Sequence, residues 1–165
     1  MLEAVDLLKG GRVFVTGAAS GAGRVIAQMF ADRGATVLAC DIDQGAVDEL
    51  ARSNPNIIAR QADASNAEQL DTLFAEMEAE GAGVDVLVNN VGIAGPTAAV
   101  EEISSEDWEQ SLRVNLSSHF FAIRRAVPGM KARKKGLIVN ISSGSAKTGL
   151  PLRLPYVVTK GAVLS

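Results

Sequence analysis

The sequence predicts an α/β fold in which helices cover both faces of one doubly wound parallel sheet. Two observations carry this prediction: the strand-like segments are almost entirely apolar, and they alternate with longer segments of helical periodicity. A chain of 165 residues suits a single domain spanning residues 1–165. The predicted strands are Arg12–Thr16, Thr36–Cys40, Ile57–Arg60, Val84–Asn89 and Leu137–Ile141.

Segments of helical periodicity fill the intervals between the strands. They lie near residues 22–33, 44–52, 66–80 and 105–130, and a fifth begins near Pro155. Ser65 followed by Glu68 predicts a capping box at the start of the third helix. Ser104 with Asp107 predicts the same arrangement for the fourth helix.

Composition and charge narrow the function classes. A hydrophobic fraction of 47% and a charged fraction of 21% are typical of a globular protein. The net charge of −3 and the pI near 5.2 argue against a nucleic-acid partner. The N-terminal segment "MLEAVDLLKGGR" has no apolar signal core and no run is long enough for a membrane span, so we expect a cytoplasmic protein without a membrane partner. Cys40 lies in an apolar strand, where an unreactive core thiol is expected.

A glycine-rich turn, "TGAASGAG", follows the first strand and leads directly into a helix. Such a turn needs residues that tolerate positive φ and allow a ligand to approach the backbone closely. The free N–H groups of the new helix then face a pyrophosphate. We therefore predict that Gly17, Ser20, Gly21, Ala22 and Gly23 bind a dinucleotide, although the glycine spacing differs from the commoner Gly-x-Gly-x2-Gly.

Asp41 ends the second strand at about the distance from Gly23 that is expected of an acid binding the adenosine ribose. A 2′-phosphate at that place would be repelled by roughly 4 kcal/mol per charge pair near 4 Å at an effective dielectric constant of about 20. Ser20 and Ile42 stand where a lysine or arginine would compensate. The sequence therefore favours NAD over NADP.

Tyr156 and Lys160 are four residues apart on the predicted fifth helix. Residues at this spacing share one helix face, so the lysine ammonium would stabilise a phenolate. The hypothesis is that Tyr156 exchanges a proton with a hydroxyl group while hydride moves to or from a nicotinamide.

These motifs occur together in an order that resembles the short-chain dehydrogenase/reductase family over essentially the whole chain. They are "TGAASGAG", Asp41, "QADAS", "NNVG", "RVNLSS", "IVNISS" and "YVVTK". The resemblance implies a Rossmann-like fold, a nicotinamide cofactor, and a small-molecule alcohol or ketone as substrate.

The resemblance also implies roles for individual residues. Ser143 matches the catalytic serine that bonds the substrate oxygen, and neighbouring Ser142 is the alternative. Tyr156 matches the acid/base, and Lys160 matches the lysine that holds the nicotinamide ribose. Asn115 matches the asparagine whose backbone holds a relay water.

Three further positions match cofactor contacts of the family. Asp63 corresponds to the acid that meets the adenine amino group, with Ala64 beside it, and Asn90 lies in the turn after the fourth strand. The sequence departs from the family at Val91, where alanine is usual. No metal is predicted, because His119 is the single histidine and has no Cys, Asp or Glu at ligand spacing.

Two expectations concern assembly and extent. The resemblance implies a homodimer or homotetramer formed through the fourth and fifth helices. Family members continue past the Tyr–Lys helix with further strands, so we expect residues 1–165 to be a truncated domain, with no dehydrogenase activity and poor solubility when made alone. A non-catalytic dinucleotide-binding fragment is the alternative to an enzyme, and a structural partner of another subunit is a third class.

Overall fold

A computed structural model describes residues 10–79 and 83–164, and it contains one sheet of five parallel strands. The strands are β1 (Arg12–Thr16), β2 (Thr36–Asp41), β3 (Ile57–Gln61), β4 (Val86–Asn89) and β5 (Leu137–Asn140). Their order is β3-β2-β1-β4-β5, which confirms the doubly wound fold. The predicted bounds of β1 are confirmed. Those of the other four strands are wrong by one or two residues, most at Val84, which precedes β4.

Helices connect the strands and cover both faces of the sheet. They are α1 (Gly21–Asp32), α2 (Gln44–Ser53), α3 (Ala67–Ala79), α4 (Ser105–Leu112), α5 (Ser118–Arg133), α6 (Ser145–Thr148) and α7 (Leu154–Ala162). Two short elements were not predicted, namely α6 and a 3-10 turn at Val100–Glu102. None of the helices in the described ranges is both long and apolar enough to cross a membrane.

The prediction of one continuous helix over 105–130 is wrong. A π-helical turn at Arg113–Ser117 separates α4 from α5, and α5 continues to Arg133. Ser111 and Ser118, on either side, donate their hydroxyls to carbonyls four residues earlier, at 2.8 and 2.6 Å. A serine hydroxyl bonded to the carbonyl four residues earlier competes with the regular backbone hydrogen bonds of a helix. The spacing of apolar residues does not reveal this competition, so it does not predict the π-helical turn.

One of the two predicted helix caps is confirmed. The hydroxyl of Ser104 accepts a hydrogen bond from the amide of Asp107 at 3.0 Å, as predicted for α4. The cap predicted at Ser65 is wrong, because α3 begins at Ala67 and the side chain of Asn66 accepts from the amide of Glu68 at 3.0 Å. Asparagine is as good an N-cap as serine, so the helix start moves by one residue.

The core consists of two apolar layers, one on each face of the sheet. Val13 and Val15 point into the layer beneath α1 and α2, while Phe14 between them points into the layer beneath α3 and α5. The Phe14 and Phe74 rings meet edge to face with centroids 5.1 Å apart. Cys40 lies in the same layer, where burial raises the pKa of its thiol to about 12, as expected of an unreactive core thiol.

Phe74 tests this packing. Phe74→Ala should lower the free energy of unfolding by about 3–5 kcal/mol, because the buried ring leaves a cavity against Phe14. The control is Phe120→Ala, whose ring is 59% exposed and should contribute far less. Urea unfolding of both variants at one protein concentration measures the difference, and equal losses would contradict the assignment of Phe74 to the core.

Candidate functional site

The candidate site lies where the sheet order reverses. β1 is flanked by β2 on one side and by β4 on the other, so the connections leaving β1 and β4 diverge and open a crevice at the carboxyl ends of these strands. Gly17 follows β1 and Asn90 follows β4. In open α/β sheets this crevice is the usual ligand site.

The glycine turn is held against the end of β4 by Asn90. The Asn90 Nδ2 atom donates to the carbonyls of Gly17 at 2.7 Å and Thr16 at 3.1 Å. Gly17 has a φ of +60°, and a Cβ at Gly23 would lie 2.1 Å from the Gly17 oxygen and 2.5 Å from Asn90 Nδ2. Only glycine fits at position 23, so helix α1 can start directly against the turn.

The N-terminus of α1 has no side-chain cap. Ser20 occupies the cap position in extended conformation, but its hydroxyl makes no capping hydrogen bond, and the first turn contains no acidic residue. The first N–H groups of a helix lack partners within the helix, and the helix dipole makes this end attractive to anions. The turn therefore presents free N–H donors and positive potential at the crevice, which suits a phosphate group.

A cavity of about 470 Å³ extends from the glycine turn across the ends of β2 and β3. Of the predicted cofactor residues, those that line it are Gly17, Ser20, Asp41, Ile42, Asp63, Ala64 and Asn90. Gly21, Ala22 and Gly23 form the first turn of α1 and are not part of this lining. Sequence reasoning missed Gln110, Arg113 and Val114, which come from the α4 end and the π turn. Their only sequence signal is that they precede Asn115 by one to five residues.

Asp41 connects this cavity to the glycine turn. Its Oδ2 atom accepts from the amide of Ala19 at 3.0 Å, and its Oδ1 atom accepts from the amide of Ile42 at 2.8 Å. The amide of Asp43 also donates to Oδ1, at 3.3 Å. A carboxylate has about four lone-pair positions, so acceptor capacity remains for a ligand hydroxyl.

A second cavity of about 410 Å³ adjoins the first. The two share Asn90, Gly92 and Ile93 in their linings, so they are neighbours across the segment that follows β4. Tyr156 and Lys160 line the second cavity, as the one-turn spacing on α7 predicts.

The two candidate serines lie in different surroundings. Ser142 lines the second cavity, and its hydroxyl donates to the Lys160 carbonyl at 2.6 Å. Ser143 is half-buried outside that lining, and its hydroxyl bonds the hydroxyl of Ser145 at 2.9 Å. Ser142 thus lines the same cavity as Tyr156, and Ser143, the next residue in the chain, does not.

Lys160 is buried, with only 4% of its surface exposed. Its Nζ atom donates to the carbonyl of Ile141 at 2.8 Å, at the end of β5. Burial lowers the pKa of Lys160, because desolvation disfavours the charged form. A buried amine with one backbone partner keeps two further donor positions for a ligand.

Asn115 lies in the π turn and is fully buried. Its Oδ1 atom accepts from the amide of Ile93 at 2.7 Å. Its Nδ2 atom donates to the carbonyl of Ile93 at 2.9 Å and to the Thr159 hydroxyl at 3.1 Å. The side chain therefore ties α7 to the segment that both cavities share.

His119 is a buried titratable residue near the same site. It is 3% exposed, and neither ring nitrogen has a partner at ordinary hydrogen-bond geometry among the described residues. Burial and the positive charge of Lys160 lower the pKa of His119 to about 4, and the backbone of Val91 opposes this shift only in part. No group of three or more His, Cys, Asp and Glu residues within the described ranges is placed to hold a metal ion.

A comparison with known protein families matches residues 12–165 to the short chain dehydrogenase family. The chain is 39% identical over 155 residues to the 3beta-hydroxysteroid dehydrogenase of Mediterraneibacter gnavus, covering 92% of this chain and 56% of that protein. It is 32% identical over 152 residues to the NAD-dependent glycerol dehydrogenase of Listeria innocua, covering 92% of this chain and 59% of that protein. The chain thus spans little more than half the length of these curated relatives.

A solved structure is also similar. Serine dehydrogenase from Escherichia coli superposes with a TM-score of 0.86 at 32% sequence identity, covering 92% of this chain and 71% of that one. The names of these three relatives indicate three different substrates, so similarity alone identifies no substrate for this chain.

His119 predicts a pH dependence of stability. The unfolded state takes up a proton at the ordinary pKa near 6.5, whereas the native state resists protonation until about pH 4. The contribution of His119 is therefore complete above pH 6.5 and is lost as the pH falls from there toward 4.

His119→Gln should remove this part of the dependence, because glutamine is polar but does not titrate. Urea unfolding of both proteins between pH 7 and pH 4 measures the two slopes. The carboxylates titrate alike in both proteins, so identical slopes would contradict the assignment of a neutral buried imidazole.

Proposed function

This chain belongs to the short chain dehydrogenase family, and from that premise we propose that it is an NAD-dependent oxidoreductase that interconverts a secondary alcohol and a ketone. The observation that carries the proposal is the meeting of two cavities. Tyr156 and Lys160 line one, the glycine turn lines the other, and the segment at residues 90–93 contributes to both.

The cofactor is proposed to lie across both cavities. The uncapped N-terminus of α1 would hold the pyrophosphate, since its N–H groups are free and its glycines allow close approach. Asp41 would accept from the adenosine ribose, and Asp63 and Ala64 would meet the adenine. Asn90 and Lys160 would hold the nicotinamide end, because both line the second cavity.

The preference for NAD rests on charge. Asp41 and Asp63 are the carboxylates of the first cavity, and Arg113 is the one guanidinium in its described lining. An added 2′-phosphate would be repelled by Asp41, whose Oδ2 atom accepts from the amide of Ala19 in the glycine turn.

In the proposed reaction NAD supplies, when bound, the acceptor for the hydride that leaves the alcohol carbon. Tyr156, as phenolate, takes the proton of the alcohol hydroxyl while the carbon–oxygen double bond forms. In the opposite direction the Tyr156 phenol returns this proton to the ketone oxygen. Ser143, with Ser142 as the alternative, would donate a hydrogen bond to the substrate oxygen on which charge develops.

Lys160 and Asn115 have supporting roles in this proposal. Lys160 would stabilise the phenolate of Tyr156 from the next helical turn and bind the nicotinamide ribose with its remaining donors. Asn115 keeps α7 in register with the segment after β4 through its bonds to Ile93 and Thr159, and its backbone would hold a relay water.

Self-association through α5 and α7 is part of the same proposal. Phe120 on α5 is 59% exposed, and Leu154 and Val158 on α7 are each 40% exposed. Apolar side chains on these two helices would be removed from water in a dimer or tetramer.

The cofactor preference is testable by calorimetric titration with NADH and NADPH. We expect NADH to bind at least about tenfold more tightly, which is about 1.4 kcal/mol. Asp41→Asn should narrow the gap, because it removes the charge but keeps an acceptor for Ala19. Asp48→Asn removes a charge from the exposed face of α2 and should leave the gap unchanged. Equal affinities of the unaltered protein for both nucleotides would refute the preference.

The catalytic assignment is tested by Tyr156→Phe. In a protein that also carries the C-terminal part expected from the family resemblance, turnover of a secondary alcohol should fall by about 10²–10⁴-fold, the usual contribution of a positioned proton-transfer group. NADH affinity should remain nearly unchanged, because only the hydroxyl is removed. Retention of more than about a tenth of the activity would exclude this role. Ser143→Ala and Ser142→Ala are assayed beside Tyr156→Phe. The variant with the larger fall in turnover identifies the serine that bonds the substrate oxygen.

A further inference from the structure

The second cavity contains an arginine, Arg153, that the proposed reaction does not use. Arg153 lines it together with Tyr156 and Lys160, and every other described lining residue is uncharged. The described lining therefore carries two cations and no carboxylate. Lys160 already has a partner in the Ile141 carbonyl and a proposed role with the cofactor, so Arg153 is the cation left for another ligand.

Arg153 is hydrogen-bonded to the segment after β4. Its Nη1 atom donates to the carbonyls of Ala94 at 3.2 Å and Gly95 at 3.0 Å, both in the segment after β4. The preceding residue, Leu152, has a φ of +61° and accepts from the amide of Ala98 at 3.0 Å. Side chain and backbone are thus both bonded to the same segment, which lowers the conformational entropy that ligand binding would cost.

The charge of Arg153 has no counter-ion in the described part of the chain. The ion pairs there that engage arginine involve Arg24, Arg60, Arg125 and Arg133. Arg153 is half-buried, and its described hydrogen bonds use only Nη1 and only neutral carbonyls. A partly desolvated guanidinium is unfavourable without an anion, so its free Nε and Nη2 donors are suited to an anionic ligand.

We propose that Arg153 binds a carboxylate of the substrate, so that this chain acts on hydroxy acids and the corresponding keto acids. The inference rests on the proposed function, since it requires Tyr156 to act on an alcohol in the same cavity. The planar fork of a guanidinium matches the two oxygens and the single charge of a carboxylate. A neutral alcohol would leave Arg153 unpaired.

The test compares each hydroxy acid with its neutral amide, with NAD, in a protein that also carries the C-terminal part expected from the family resemblance. The pairs are lactate and lactamide, 3-hydroxybutyrate and 3-hydroxybutanamide, and 4-hydroxypentanoate and its amide. For at least one pair kcat/KM should favour the acid by about tenfold to a hundredfold, the usual effect of a charge-assisted hydrogen bond. Arg153→Gln should bring this ratio close to one, and Arg153→Lys should restore part of it.

Lys147→Gln is the matched control, because Lys147 is exposed on α6 and lies outside the cavity lining. It removes the same charge nearby and should leave the ratio unchanged. A role of Arg153 in holding the loop alone would lower kcat/KM for acid and amide equally, so the ratio separates recognition from folding.

A second readout does not depend on turnover. Malonate should bind the NADH complex in calorimetry and lose at least tenfold in affinity with Arg153→Gln. Failure to bind NADH would overturn the proposed function, and this inference with it. Two outcomes would overturn this inference alone, provided that NADH binds. One is an equal kcat/KM for acids and amides. The other is a higher kcat/KM for a phosphorylated alcohol, such as glycerol 3-phosphate, than for every carboxylate.

Discussion

The site depends on the hydrogen bonds through which Asn90 and Thr16 join the ends of β1 and β4, two strands that are far apart in the chain. Asn90 donates to the carbonyls of Gly17 and Thr16, and the Thr16 hydroxyl accepts from the amides of Asn90 and Val91 at 3.1 and 3.2 Å. Thr16 is 1% exposed, so these bonds form in a low-dielectric interior where losing a partner is costly. They hold the glycine turn at the crevice, and Gly23 keeps α1 against it.

A second buried network fixes the other half of the site. Asn115 bonds both backbone groups of Ile93 and the Thr159 hydroxyl, while Lys160 bonds the Ile141 carbonyl. The π turn places Asn115 against the segment after β4. The hydrogen bonds of Asn90 and Thr16 hold the start of the same segment. Because both networks end on one short segment, the two cavities keep a fixed relation to each other. Hydride transfer needs such alignment between a cofactor and a substrate.

Charge is distributed unevenly over the two cavities. Among the described residues, two of the three charged side chains lining the first cavity are carboxylates, and the charged side chains lining the second are both cations. Burial also lowers the pKa of both His119 and Lys160, and the lysine charge lowers that of the histidine further. Titratable groups perturbed by burial and by a charged neighbour are typical of functional sites. The second cavity is therefore suited to anionic ligands, and the first to the hydroxyl-rich part of a dinucleotide.

The sequence by itself determined the parallel α/β sheet. It also placed the glycine turn, Asp41 and the Tyr156–Lys160 pair at the carboxyl edge of that sheet. The reason is that apolar strand segments, turn residues and helical spacing are local properties of the sequence. The functional roles of these residues stay predictions. Only the tertiary structure decided the π turn, the serine that lines the cavity and the orientation of Arg153. The carbonyls that hold Arg153 lie 58 and 59 residues away along the chain, and Thr159 lies 44 residues from Asn115. Contacts at such separations depend on packing and leave no periodic trace in the sequence.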